Sequence, residues 1–299
     1  MNNVKEIHNT LENNKYLIFY KIMNYPVPLN SDFLLFEKNL TNLNLFNLNE
    51  SNVIGQNINN IKNKFSWSKK NYYLDEYINF INKYHRLYKS IPFISSIYLC
   101  NSITFNSLKE NSDIDIFIVT KKGSMRRARL FSFLFFSLFF IKRGVFGVRK
   151  KFCLSFYVSS DYQNLYNILL SKTDIYLPYR LAHLVPIYQE KENNIYKYNK
   201  WINSFIPNFP GKHIINIGSF KSEGKTKLKI LLEFMFGGIF GRAVEFIIKI
   251  FWLPINIYKK NKLKAKGRGI IINDNMLKFY LDKREKISLL YKIYKKNFK

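Results

Sequence analysis

Short apolar runs separated by polar turns divide the middle of the chain into strands and one helix. Phe93 to Cys100, Ser112 to Val119 and Phe152 to Val158 are apolar runs of strand length. Between the second and third runs, Ser124 to Ile141 has the length and composition of a helix. The order strand, strand, helix, strand predicts a compact α/β (α+β) core with a small mixed sheet.

The region before this core is predicted to be a small helical module. Apolar positions over residues 4–20 recur with helical spacing, and Asn30 or Ser31 caps a second helix. Residues 65–74 allow a short hairpin, and residues 74–90 form a connecting helix. Helix, turn, helix and hairpin in this order suit a winged-helix-like fold, which serves both DNA and protein contacts.

The region after Asp161 is predicted to be helical. Helical periodicity recurs in four segments, with a basic linker before the last of them: 161–171, 173–188, 196–205 and 275–297, the linker covering 259–268. We therefore expect three parts: a winged-helix-like module with its connecting helix (1–90), the α/β core (91–165) and a helical C-terminal region (166–299).

Two apolar stretches have the composition of membrane segments. Leu130 to Ile141 is unbroken but too short to span a bilayer, so we expect sheet and helices to cover it on both sides. Residues 228–258 are interrupted by charges, which are costly at a bilayer centre. Amphipathic helices packed on the core are the favoured interpretation, without a transmembrane segment. Contact with a membrane surface is the less favoured one.

The charge balance is strongly basic, with 48 Lys and Arg against 20 Asp and Glu and a net charge of +28. Two explanations remain open. The lysines are spread along the whole chain, which is typical of compositional drift. The same surface has affinity for polyanions such as nucleic acid, nucleotides or anionic lipid.

Cysteines and histidines give no sign of a zinc site. Cys100 and Cys153 each lie in an apolar run, which predicts buried free thiols in a reducing cytosol. The four histidines are scattered, and His183, on an apolar helix, is expected to be a core residue. The N-terminal residues lack the layout of a signal peptide, so a cytoplasmic protein is expected.

Two carboxylates open the second strand. Asp113 and Asp115 are two residues apart, so on a strand both side chains project from the same face. Acids at the start of a surface strand are common, but two such charges repel unless a cation lies between them. Oxygen ligands suit Mg²⁺ or Mn²⁺, and the turn at Ser102 offers hydroxyl and N–H groups to phosphates. Metal-assisted phosphoryl transfer uses this combination.

Residues 101–119 resemble the signature of the DNA polymerase β-like nucleotidyltransferase superfamily, a Gly-Ser pair followed by Asp-x-Asp at a strand start. Asn101-Ser102 and Asp113-Ile114-Asp115 fall on these positions. The chain is also similar to a bacterial family with an N-terminal winged-helix-like part, a nucleotidyltransferase core and a helical C-terminal part. That similarity rests on four further segments: 23–29 (MNYPVPL), 91–93 (IPF), 201–208 (WINSFIPN) and, more faintly, 279–286.

The resemblance implies transfer of a nucleoside monophosphate from an NTP to an acceptor hydroxyl or amine, dependent on Mg²⁺ or Mn²⁺. It implies that Asp113 and Asp115 are catalytic metal ligands. It also implies that Asn101, Ser102 and Arg129 bind the nucleotide. Arg126 and Arg127 are further candidates for triphosphate contact, or else part of a solvated basic face.

The sequence departs from the family pattern at two points. Asn101 stands where the family has glycine, and residues 152–158 carry no third acid, which active members usually place on a later strand. The alternative function is therefore a catalytically degenerate module. Such a module would bind nucleotide or nucleic acid through its basic surface and its winged-helix-like part.

Overall fold

The computed structural model describes most of the chain after residue 70. The described residues are 71–144, 147–171, 174–191, 194–207, 223–264 and 270–279, together with 27–28, 67–68, 209, 211, 287 and 289. The predicted winged-helix-like module lies almost entirely outside them. Within it, strands β1 (Val27–Pro28) and β2 (Trp67–Ser68) pair in parallel.

A six-stranded mixed sheet forms the centre of the described fold. Its strands in chain order are β3 (Ile94–Leu99), β4 (Ile114–Thr120), β5 (Phe152–Ser159), β6 (Val185–Gln189), β7 (Ile271–Ile272) and β8 (Met276–Lys278). In space they are ordered β6-β3-β4-β5-β8-β7, with β4 and β5 parallel and the other neighbours antiparallel. The predicted mixed α/β core is confirmed.

Six α-helices are described: α1 (Leu74–Lys83), α2 (His85–Ser90), α3 (Met125–Leu138), α4 (Tyr176–Ala182), α5 (Lys227–Met235) and α6 (Gly238–Lys264). The connecting helix predicted over residues 74–90 is thus interrupted at Tyr84. Helix α3 lies in the connection between β4 and β5, because parallel neighbours cannot be joined by a tight hairpin. Within the described residues, no helix has both the length and the apolar character that a membrane crossing needs.

Both faces of the sheet are buried, which explains why its central strands are continuous apolar runs. Phe117 and Val119 of β4 pack in a core cluster with α4 and the two short 3₁₀ helices at 195–198 and 200–204. Ile116 and Ile118 pack on the opposite face with α1, α2 and α3. Successive side chains of a strand alternate between its faces, so one strand supplies both clusters.

Three predictions for the C-terminal region are wrong in part. The helix predicted over 173–188 ends at Ala182, and Val185–Gln189 forms the edge strand β6 beside β3. An edge strand accommodates Pro186, which has no N–H to donate. The helix predicted over 275–297 begins instead as strand β8, and the start of the predicted linker, up to Lys264, belongs to α6.

The prediction that Leu130 to Ile141 is covered on both sides is also wrong. Ser132 and Phe136 are fully buried against the sheet, but Leu138 and Phe140 on the other side are 73% and 63% exposed. No described element covers that side of α3. An apolar run of this length therefore presents apolar side chains to solvent as well as to the core.

His183 is a core residue, as predicted. It is fully buried and its ring lies 3.9 Å from that of Tyr179 and 5.8 Å from that of Phe105, measured between centroids. Its Nδ1 lies 2.8 Å from the carbonyl oxygen of Tyr179. Burial penalises the charged ring and lowers the pKa of His183 to about 4.

Acidification is expected to destabilise the fold through His183. Between about pH 6.5 and pH 4 the ring is protonated in the unfolded chain but not in the folded one, so stability falls as the pH falls through this window. The full effect is about 3 kcal/mol. Urea unfolding at pH 7 and pH 4.5 should therefore show a smaller pH dependence in His183→Phe than in the wild type. His85→Gln, at an exposed histidine, should leave the pH dependence unchanged, and equal slopes in all three proteins would contradict the assignment.

Candidate active site

The two predicted acids meet a cysteine at the start of the parallel strand pair. Asp113 directly precedes β4, Asp115 is its second residue, and Cys153 is the second residue of β5. Register places Asp115 opposite Cys153. One ligand atom from each of Asp113, Asp115 and Cys153 lies within 4.8 Å of the others. The pairing of β4 with β5 therefore assembles a three-donor cluster.

An arginine provides positive charge at this cluster. Arg143, in the turn after α3, donates from Nη1 to Oδ2 of Asp113, and the same nitrogen lies 3.8 Å from Sγ of Cys153. Burial and the charge of Asp115 raise the pKa of Asp113, and Arg143 opposes that rise. The positive charge of Arg143 therefore offsets part of the repulsion that Asp113 experiences from Asp115.

The turn after β3 orients Asp115 through a side chain that glycine lacks. Asn101 has φ of +62°, the left-handed conformation that glycine favours and that asparagine tolerates better than most residues. Its Nδ2 donates to Oδ2 of Asp115 at 2.9 Å, and its Oδ1 accepts from Tyr176 Oη at 3.2 Å. Ser102 lies next in this turn, and its carbonyl accepts from Ser107 N–H at 2.8 Å. Asn101 therefore combines the backbone conformation that glycine favours with a side chain that binds Asp115.

The third donor of the cluster is Cys153, which lies in the segment 152–158 that carries no acid. Among the described residues, no Asp, Glu or His joins the cluster of Asp113, Asp115 and Cys153. Glu110 instead lies 3.3 Å from Arg149, and Asp161 accepts from the Ser159 hydroxyl. Cys153 is not fully buried, contrary to the prediction. Desolvation and the charge of Asp115 raise its pKa to about 12, so the thiol is neutral unless a metal ion displaces its proton.

A cleft of about 330 Å³ opens beside this cluster. Its lining residues are Arg129, Phe133, Lys142, Arg143, Gly144, Cys153, Leu154, Ser155 and Tyr157. Three of these are cations and none is an acid. Cys153 belongs to both the cleft and the cluster, and Arg143 lines the cleft while it pairs with Asp113 of the cluster. The cleft is therefore electropositive where it meets two carboxylates, an arrangement that suits a phosphate chain bound with a divalent cation.

Arg129 is held in this cleft by aromatic stacking. Its guanidinium lies 4.2 Å from the ring centroid of Trp252 and 4.2 Å from that of Phe279, and Nη1 donates to Asn256 Oδ1 at 3.4 Å. Burial lowers the pKa of Arg129 to about 10, so it remains charged at neutral pH. The two rings hold the cation in place at the wall of the cleft.

The two neighbouring arginines have a different role. Arg127 donates from Nε to Glu245 Oε2 at 3.0 Å, and Arg126 pairs with Asp274 and, at 3.7 Å, with Glu245. These contacts join α3 to α6 and to the turn before β8. Arg126 and Arg127 are neither in the cleft nor on a solvated basic face. Of the three arginines, the structure places only Arg129 beside the cluster.

Sequence reasoning missed four residues of this site. In the sequence, Arg143 is one basic residue among many, Cys153 has the pattern of a plain buried thiol, and Tyr176 carries no signal of its own. A fourth residue, Arg180, is buried behind the turn, where Nη2 lies 3.2 Å from Cys100 Sγ. Strand register brings Cys153 to the site, the turn after α3 brings Arg143, and α4 brings Tyr176 and Arg180.

The donor set fits a divalent cation. Two carboxylates are the ligands that Mg²⁺ and Mn²⁺ prefer, and a thiol in third position adds affinity for softer ions. Burial and the charge of Asp115 raise the pKa of Asp113, and Arg143 pairs with that carboxylate, so positive charge is favourable at this cluster. Comparisons with protein-family models, with curated proteins and with solved structures gave no match to this chain.

Proposed function

We propose that this protein transfers a nucleotidyl group from an NTP to an acceptor hydroxyl or amine, in a reaction that depends on Mg²⁺ or Mn²⁺. The observation that carries the proposal is the junction of the Asp113/Asp115 pair with a cleft lined by three cations. Asp113 and Asp115 would hold the ion, with Cys153 as third donor. When bound, the ion neutralises phosphate charge and activates the attacking oxygen.

Two arginines of the cleft and two residues of the turn after β3 have distinct parts in this proposal. Arg129, fixed between two rings, binds a phosphate oxygen without a large loss of side-chain entropy. Arg143 touches both the acid pair and the cleft, so its guanidinium can pair with a carboxylate or with phosphate. Asn101 holds Asp115 in position, and Ser102 offers its hydroxyl in the same turn. The core over 91–165 would then be nucleotidyltransferase-like.

A second function, nucleotide binding without turnover, is favoured by one observation. The third donor is a neutral thiol where active members of the resembled superfamily usually carry an acid. A cluster with two carboxylates has a lower charge and binds Mg²⁺ less tightly than one with three. In that case the cleft would still bind the triphosphate. The basic surface would then serve recognition of nucleic acid.

Label transfer tests the proposal directly. The purified protein is incubated with each α-labelled NTP, Mg²⁺ or Mn²⁺ and cell extract. The expected result is label attached to a macromolecule or small acceptor, abolished by a chelator. Nucleotide binding without transfer under any combination of nucleotide and metal would leave the binding function standing and exclude the transferase.

Arg129→Gln is expected to weaken NTP binding about tenfold, the effect of losing one charge-assisted hydrogen bond to phosphate. Arg129→Lys keeps the charge but loses the planar stacking on the two rings. Its affinity for the NTP should therefore lie between those of the wild type and Arg129→Gln. Isothermal titration with a non-hydrolysable NTP measures the change. Arg149→Gln is the matched control, since Arg149 pairs with Glu76 and Glu110 outside the cleft. Equal affinities for Arg129→Gln and Arg149→Gln would contradict the assignment.

A further inference from the structure

Helices α5 and α6 present an apolar surface to solvent along most of their length. Six aromatic and aliphatic side chains there are at least 62% exposed: Phe234, Ile239, Phe240, Phe246, Phe251 and Tyr258. A surface helix ordinarily turns polar residues outward. Exposed apolar patches of this extent mark a surface that meets a partner.

The exposed face of α6 is continuous and opposite to its buried face. At 3.6 residues per turn, Ile239, Phe246 and Ile257 fall along one line of the helix. Gly241 and Ile248 lie on the other side and are buried, and Glu245 ties that side to Arg127 of α3. The helix is therefore anchored on the core by one face and leaves a second apolar face uncovered by any described residue.

Basic residues accompany this apolar face. Arg242 and Lys249 lie two turns apart on one edge of it, between the buried and the apolar sides. Lys259, Lys260, Lys262 and Lys264 follow in the last turns of the same helix. An apolar strip with a cationic edge is the pattern of helices that lie in a membrane interface.

Charge decides which partner this surface fits. The chain carries a net charge of +28, so two copies repel each other and an apolar contact between them works against that repulsion. An anionic bilayer offers both an apolar layer and negative charge. Each Lys or Arg near such a surface strengthens binding to it.

We propose that α5 and α6 bind the surface of an anionic membrane. Their apolar face enters the boundary between headgroups and acyl chains, and the lysines and arginines at its edge contact lipid phosphates. The helices lie in the interface rather than cross it. The proposal does not depend on the nucleotidyltransferase chemistry, because none of the residues that carry it holds the acid pair or the nucleotide.

Vesicle co-sedimentation of the full chain tests the proposal. We expect binding to phosphatidylcholine vesicles that contain phosphatidylglycerol, and much less binding to phosphatidylcholine alone. Phe246→Glu and Phe251→Glu should each lower the partition coefficient at least tenfold, since each removes a buried phenyl ring and adds a repelled charge. Tyr72→Glu is the matched control, because Tyr72 is 90% exposed outside this face. Unchanged binding in both Phe variants, or no binding to anionic vesicles, overturns the proposal.

The apolar face of α6 could instead be covered by a second copy of the protein or by another segment of the same chain, and a different measurement identifies each case. A dimer in sedimentation velocity without lipid, dispersed by Phe251→Glu, would assign the face to a second copy. A monomer whose α6 amides exchange hydrogen equally slowly with and without vesicles would show that another segment of the chain covers it. Either result overturns the membrane proposal. Slower exchange in α6 only when anionic vesicles are present supports it.

Discussion

Asp115→Asn is expected to abolish nucleotidyl transfer without lowering the stability of the fold. The substitution keeps the size of the side chain and an oxygen for the hydrogen bond from Asn101, and it removes the charge that would hold the cation. Losing several kcal/mol of transition-state stabilisation lowers the rate by at least about a thousandfold. Asp113→Asn should have a similar effect on transfer.

Stability separates this catalytic role from a structural one. Burial and then the charge of Asp115 raise the pKa of Asp113, and the second of these causes is repulsion between the two carboxylates in the folded chain. Asp115→Asn removes that repulsion, so without divalent ions its melting temperature should equal or exceed that of the wild type. Asp113→Asn is less informative, because it also removes the ion pair with Arg143.

Glu110→Gln is the matched control for the Asp115 prediction. Glu110 is an exposed acid in the loop before β4, and it pairs with Arg149 rather than with the cluster. Its substitution should leave transfer unchanged. Wild-type transfer by Asp115→Asn would contradict the catalytic role. A large fall in melting temperature that accompanies loss of transfer would assign Asp115 a structural role instead.

The central strands were predictable because of how they are buried. Strands β3, β4 and β5 have core clusters on both faces, so their sequences are continuous apolar runs. Val185–Gln189 and Met276–Lys278 are short, and their partner strands lie far away in the sequence. No local pattern contains that pairing. Helical periodicity over residues 173–188 therefore predicted one helix, although the last residues of this segment belong to the edge strand β6.

The candidate site was predictable only where one segment carries it. The spacing of Asp113 and Asp115 places both on one strand face, and the structure brings their carboxylates together. Cys153 joins them through the register of a parallel pair, and Arg143 through the turn after α3. Helical periodicity likewise indicated that α6 is amphipathic. Apolar side chains of α6 lie both on its packed side and on its exposed side, so the pattern could not show that many of them face solvent.

Cys153→Asp is expected to increase transfer supported by Mg²⁺ by about a hundredfold, the upper range of the effects that neighbouring groups have on metal sites. Cys153 lies opposite Asp115, so an acid there would supply a third carboxylate. Mg²⁺ prefers oxygen ligands and gains affinity with each added charge. The wild type should bind thiophilic ions such as Cd²⁺ in preference to Mg²⁺, and the variant should reverse that order.

The same variant should be less stable than the wild type when no divalent ion is present. A third carboxylate beside Asp113 and Asp115 adds repulsion that Arg143 alone does not relieve. Mg²⁺ should therefore raise its melting temperature more than it raises that of the wild type. Cys153→Ser, which removes the thiol without adding charge, should lose the Cd²⁺ preference and gain no Mg²⁺-supported transfer. If Cys153→Asp instead behaves like Cys153→Ser in both assays, position 153 does not contact the ion, and Asp113 and Asp115 hold it without a third donor from β5.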